Sequence, residues 1–127
     1  MNKQKTILIV DDEKSIRDPI VDVLKQNDFL TLEATNGKEA VEVALDKHPD
    51  LILLDIIMPV MDGMVAFKKI REDKWGRKVP VIILTNLSAT EEKMIHDMVE
   101  CKPLHYLIKS DWSLAEIIKQ VKKGLAV

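Results

Sequence analysis

Cysteine is almost missing from this sequence. Cys101 stands alone, so no disulfide can close within the chain, and a reducing, cytoplasmic setting is expected. Glycine (four) and proline (five) are scarce as well, which excludes collagen-like and low-complexity classes. There is no excess of positive charge: the formal net charge is −2 and the lysines are scattered, so direct binding to nucleic acid is not expected. Long apolar runs are absent too. None approaches the roughly 18 residues of a membrane span, so no membrane insertion is expected. The opening "MNKQKTILIVDDE" has too short an apolar stretch before its charges to act as a signal peptide. What the chain does have is 127 residues, 46% of them hydrophobic and 31% charged, enough for one domain with a proper core. A single domain over residues 1–127 is expected, with no output domain in this chain.

Short apolar runs alternate with segments of helical length. "TILIV" (6–10), "FLTLEA" (29–34), "DLILLD" (50–55), "VPVIILT" (79–85) and "HYLIK" (105–109) are five candidate strands. Ser88 with Glu91 and Ser113 with Glu116 form capping-box patterns that open the fourth and fifth helices. The last helix carries a one-sided apolar stripe of Leu114, Ile117, Ile118, Val121 and Leu125. A first helix over about Lys14 to Gln26 would hold Pro19 inside it, so that helix either starts late or bends. Near-continuous apolar strands joined by helices imply a doubly wound α/β domain, its parallel sheet covered on both faces. Ligands in such sheets bind beyond the carboxyl ends of the strands.

Those ends carry complementary chemistry. The first strand runs into Asp11, Asp12 and Glu13, the third ends at Asp55, the fourth at Thr85 and the fifth at Lys109. One such residue is an ordinary cap or turn residue. Several carboxylates converging on one rim require a cation, and an oxygen-only set without His or Cys suits Mg²⁺ or Mn²⁺ rather than zinc. A lysine ammonium and a threonine hydroxyl beside it match the remaining oxygens of a phosphoryl group. The residues therefore describe a metal-assisted phosphoryl site.

The motifs "VDDE" (10–13), "DLILLDIIMPVMDG" (50–63), "ILT" (83–85) and "YLIK" (106–109), in this order, resemble the receiver domains of bacterial two-component response regulators over essentially the whole chain. The resemblance implies a flavodoxin-like, five-stranded parallel sheet in the order 2-1-3-4-5 with five helices. It implies that Asp55 is the nucleophile, accepting a phosphoryl group from a sensor histidine kinase, a phosphotransfer histidine or a small donor such as acetyl phosphate. Asp12 and Asp55 correspond to direct Mg²⁺ ligands, Asp11 to a ligand acting through water, and the main-chain carbonyl of Ile57 completes the set. Lys109 corresponds to the lysine that pairs with phosphoryl oxygens, Thr85 to the hydroxyl that moves toward them, and Tyr106 to the aromatic that follows. Glu13 reads as a helix-start residue. The implied output is a changed binding face on the fourth helix, fifth strand and fifth helix, presented to a downstream protein partner. Phosphorylation-dependent homodimerisation is left open.

The sequence departs from the family in places. Ser110 replaces the proline that usually follows the lysine, and a non-proline cis bond there costs about 3 to 4 kcal/mol, which brings a trans bond and a rearranged "SDWS" loop into play. Trp112 in that loop reads as a half-buried cap over the fifth helix. Asn86 stands where the family has a very small residue and narrows access to the site. Ile57 and Leu87 flank the expected path of an attacking water and cannot hydrogen-bond it, so a long-lived phosphorylated state is expected. Lys102, Pro103 and Leu104 replace the small, glycine-containing and acidic turn usual before the fifth strand. Met94 and Met98 read as core rather than contact residues. Two other functions share these residue types. One is a Mg²⁺-dependent phosphohydrolase with an aspartyl nucleophile, whose acids would be spaced Asp-x-Asp after the first strand. The other is a scaffold of the same fold that binds partners regardless of phosphorylation.

Overall fold

The computed structural model describes residues 4–55, 63–85, 105–108 and 113–126, with Thr85 and 105–108 described through the main chain. Five strands lie in one sheet: β1 Thr6–Val10, β2 Leu30–Ala34, β3 Leu51–Asp55, β4 Val81–Thr85 and β5 His105–Ile108. All neighbouring strands are parallel, as the apolar runs suggested, and the order is β2-β1-β3-β4-β5, as the family resemblance implies. The strands begin at the expected residue or one or two later. Helices α1 Lys14–Gln26, α2 Gly37–Lys47 and α3 Gly63–Glu72 are followed, after β5, by a C-terminal helix Leu114–Leu125. The expected fourth helix, with Ser88, Glu91, Met94 and Met98, lies outside the described residues.

Side chains alternate across a strand with period two, and here the alternation sorts them into two cores. Leu8, Val10, Ile52, Leu54, Val81 and Ile83 face α2 and α3, where Ala40, Ala44, Phe67 and Ile70 close the packing. Ile7, Ile9, Leu51, Leu53, Ile82 and Leu84 face the opposite way, onto Ile20, Val21 and Leu24 of α1 and Ile117, Ile118 and Val121 of the C-terminal helix. The three central strands, β1, β3 and β4, thus bury both faces, which is why they read as continuous apolar runs. Strand β2 is an edge. Its Leu30 is half exposed, and only Ala34 of its five residues is fully buried.

The helix starts follow local chemistry. The Asn36 side chain accepts from the Glu39 amide at 2.9 Å and caps α2, while Thr35 Oγ1 donates to Glu39 Oε2 at 3.1 Å. Ser113 Oγ accepts from the Glu116 amide at 3.2 Å, as the capping pattern predicts. One expectation is corrected and one alternative is decided. Leu114, counted in the apolar stripe, is 36% exposed because it occupies the first turn, ahead of the residues that reach the sheet. Of the two alternatives for α1 the late start is excluded: the helix runs over Lys14–Gln26, the expected range, and holds Pro19 inside.

Candidate functional site

Register brings the acids together. Val10 of β1 pairs with Leu54 of β3, so the next residues along, Asp11 and Asp55, leave adjacent strands side by side. Adjacent strands lie about 4.8 Å apart, which sets the scale of the separation. Asp12 follows in the turn into α1. A carboxylate oxygen from each of Asp11, Asp12 and Asp55 lies within 4.8 Å of the others. Asp11 (0% exposed) and Asp55 (2% exposed) are the buried charged residues among those described, and Asp12 is exposed.

This arrangement is expensive without a counter-charge. At 4.8 Å and an effective dielectric near 20, the buried Asp11–Asp55 pair would repel by about 3.5 kcal/mol, and exposed Asp12 adds less because solvent screens it. Burial of two of the three adds desolvation. The donor set consists of oxygen alone, two anions recessed and one open to solvent, at spacings that several ligands of a single hard cation adopt. The residues present therefore fit a divalent cation such as Mg²⁺.

Main-chain bonds define how the acids are presented. The Asp11 amide donates to Ala34 O at 3.1 Å, tying the end of β1 to the end of β2. Asp11 Oδ1 accepts from the Glu13 amide at 3.0 Å, and Glu13 is the N-cap residue of α1, the helix-start role the sequence suggested. Arg17, one turn into α1, donates from Nη1 to Asp11 O at 2.8 Å and from Nε to Glu33 Oε1 at 2.9 Å. Sequence reasoning missed Arg17. Its signal was a basic residue four positions after Glu13, on the first turns of a helix leading away from an acidic strand end.

On the other side of β3, Asp55 pairs with Leu84, and Thr85 is the next residue of β4. Thr85 in turn pairs with Ile108 of β5. The main chain therefore places Thr85 and the strand segment containing Tyr106 on the strands next to Asp55 and beyond. Lys109, Ile57, Asn86, Leu87, the turn 102–104, Ser110 and Trp112 lie outside the described residues.

Comparison with known proteins agrees with this geometry. The profile of the response regulator receiver domain matches residues 7–122. The transcriptional regulatory protein YdfI of Bacillus subtilis is 39% identical over 111 residues, covering 86% of this chain and 48% of that protein. The regulatory protein AtoC of Escherichia coli is 37% identical over 119 residues, covering 94% of this chain and 25% of that protein. The chain thus spans less than half the length of these curated relatives. Among solved structures, the receiver domain of the sensor histidine kinase PA1611 from Pseudomonas aeruginosa superposes with a TM-score of 0.87 at 26% identity, covering 98% of this chain and all of that one. That structure has a magnesium ion coordinated in its active-site cleft. The chemotaxis response regulator CheY4 of Vibrio cholerae gives a TM-score of 0.87 at 26% identity, covering 97% of this chain and all of that one.

Proposed function

Because this chain belongs to the response regulator receiver domains, we propose that it is a phosphorylation-controlled signalling module with Asp55 as its phosphoryl acceptor. The observation that carries this reading is the meeting of Asp11 and Asp12 with Asp55 at the carboxyl edge of the sheet. Asp55 is the one acid of the three on the central strand β3, with β4 and Thr85 on its far side.

In the proposed reaction an Asp55 carboxylate oxygen forms a bond to phosphorus as the bond to the donor breaks. That donor bond is P–N for a phosphohistidine of a sensor kinase or phosphotransfer protein, and P–O for acetyl phosphate. The electron pair of the broken bond leaves with the donor, and the product is an acyl phosphate on Asp55. Asp11, Asp12, Asp55 and the Ile57 carbonyl are assigned to hold Mg²⁺, which when bound neutralises charge on the phosphoryl oxygens. Asp12, being exposed, leaves that side of the site open to an incoming donor. Lys109 is assigned to pair with a phosphoryl oxygen and the Thr85 hydroxyl to hydrogen-bond another. Tyr106 is assigned to follow Thr85. The two states differ in what Thr85 and Lys109 contact, so these residues are where phosphorylation would shift the equilibrium toward the partner-binding form. Output passes to a downstream protein in the cytoplasm, and the chain catalyses only its own phosphorylation and slow dephosphorylation.

Intact-mass measurement after incubation with acetyl phosphate and Mg²⁺ tests this. One phosphoryl adduct is expected, abolished by Asp55→Asn and by chelation of the metal. Turnover of phosphate esters that depends on Asp11 would instead identify a phosphohydrolase. An adduct that leaves partner binding unchanged would identify a scaffold.

A further inference from the structure

Arg17 belongs to none of the roles above, yet its contacts lead straight to the acidic corner. Its side chain is 11% exposed, so most of a guanidinium and its stem has been withdrawn from water. Such a group requires directed partners. It has two from different elements. Nη1 donates to the main-chain oxygen of Asp11, and Nε donates to Glu33 of the edge strand β2.

The first contact matters because of which carbonyl it takes. The Asp11 oxygen belongs to the peptide unit that joins Asp11 to Asp12, and that unit is planar. Fixing the oxygen fixes the plane, and with it the direction in which the Asp12 chain leaves the end of β1. The amide of Asp11 is already held by Ala34, and the amide of Glu13 by Asp11 Oδ1. Arg17 supplies the remaining restraint between these two. Asp12 itself is exposed, so packing does not orient it. The second contact serves the first. Glu33 neutralises the guanidinium and holds its fork, so that the positive charge does not face the acids uncompensated.

We infer that Arg17, held by Glu33, is a positioning residue for the divalent-cation site: it orients the Asp11–Asp12 peptide so that both carboxylates converge with Asp55. This inference rests on the metal-binding part of the function proposed above. A role as simple counter-charge predicts the opposite sign, because removing a cation beside three carboxylates would strengthen metal binding.

Mn²⁺ binding to the whole chain, read from the free-ion electron paramagnetic resonance signal and by Mg²⁺ competition, separates these. Arg17→Gln should raise Kd about tenfold, the low end of the scale usual for groups that orient metal ligands, and Glu33→Gln, one contact further out, by less, about threefold. Arg17→Lys should recover little, because an ammonium restores the charge and not the fork. The double variant should bind no more weakly than Arg17→Gln alone, since Glu33 acts through Arg17. Metal-free melting temperatures distinguish positioning from general damage: a structural role alone lowers them without moving Kd. Unchanged or tighter Mn²⁺ binding by folded Arg17→Gln overturns the inference. Should that variant fail to fold, unchanged binding by Glu33→Gln, whose side chain is 44% exposed, does the same. Wild-type protein that binds no Mn²⁺, or binding untouched by Asp12→Asn, overturns the metal reading and this inference with it.

Discussion

At the scale of single residues, three side chains among those described bring like charges together. Asp11 and Asp55 are buried and Asp12 is not, although all three bring an oxygen within 4.8 Å of the others. Like charges so placed lower stability until a cation arrives, and a ligand that binds only the folded state raises stability by mass action. Millimolar-range Mg²⁺ should therefore raise the melting temperature. Asp12→Asn should raise the metal-free melting temperature by about 2–4 °C through relief of repulsion. The same variant should lose most of the response to Mg²⁺. Thermal melts of both proteins across a Mg²⁺ series check this, and an undiminished Mg²⁺ response in Asp12→Asn would count against the site.

At the scale of elements, Pro19 and Gly76 are places among the described residues where local geometry is constrained. Pro19 sits inside α1, where it removes the amide that would bond the Ser15 carbonyl. Pro19→Ala should restore that bond at some cost in unfolded-chain entropy, for a net gain of about 1–2 kcal/mol in urea unfolding. A loss of stability would mean that the proline is fitted to the acidic corner at the start of the same helix. Gly76, in the segment after α3, is required for closeness: a Cβ there would lie 1.8 Å from the Ile70 carbonyl oxygen. The Gly76 oxygen also accepts from Arg71 Nη1 at 2.7 Å, and the same nitrogen reaches Val79 O at 2.7 Å. Arg71 lies over the Phe67 ring at 4.8 Å, so the end of α3 and the approach to β4 form one knot. Gly76→Ala should cost about 2–4 kcal/mol, measurable by the same unfolding experiment. His48 stacks on Trp75 at 4.5 Å and joins the end of α2 to this knot.

At the scale of the whole molecule, one sheet separates two cores of opposite side-chain parity. Because every central strand contributes to both, damage on one face should be felt on the other. Phe67→Ala, on the α2–α3 side, should lower stability by about 3–5 kcal/mol and still give a single unfolding transition. Hydrogen exchange at Ile117 and Val121, on the opposite face, should accelerate in step. Separate transitions for the two faces would refute the coupling. The same architecture places the site: parallel strands all end on one rim, so residues far apart in sequence meet there without any loop having to carry them.

By itself the sequence determined the class and most of the elements, because near-continuous apolar runs of strand length such as Ile52–Leu54, alternating with helix-length segments, suit a sheet covered on both faces. It also determined the chemistry of the strand ends, since "VDDE" and Asp55 announce carboxylates whatever their spacing. What was not legible was how those carboxylates are held. Leu114 matched the stripe by periodicity and yet faces solvent, because period describes a helix face and says nothing of where the helix first meets the sheet. Pro19 left open where α1 begins, and the structure starts it at Lys14 with Ile20, Val21 and Leu24 packed in the core beyond the proline. Arg17 and Glu33, 16 residues apart, form their pair only because β2 lies beside β1 and α1 packs across them. Register and side-chain convergence are properties of neighbours in space. Only the tertiary structure decided that an unremarked arginine holds the peptide between the two acids.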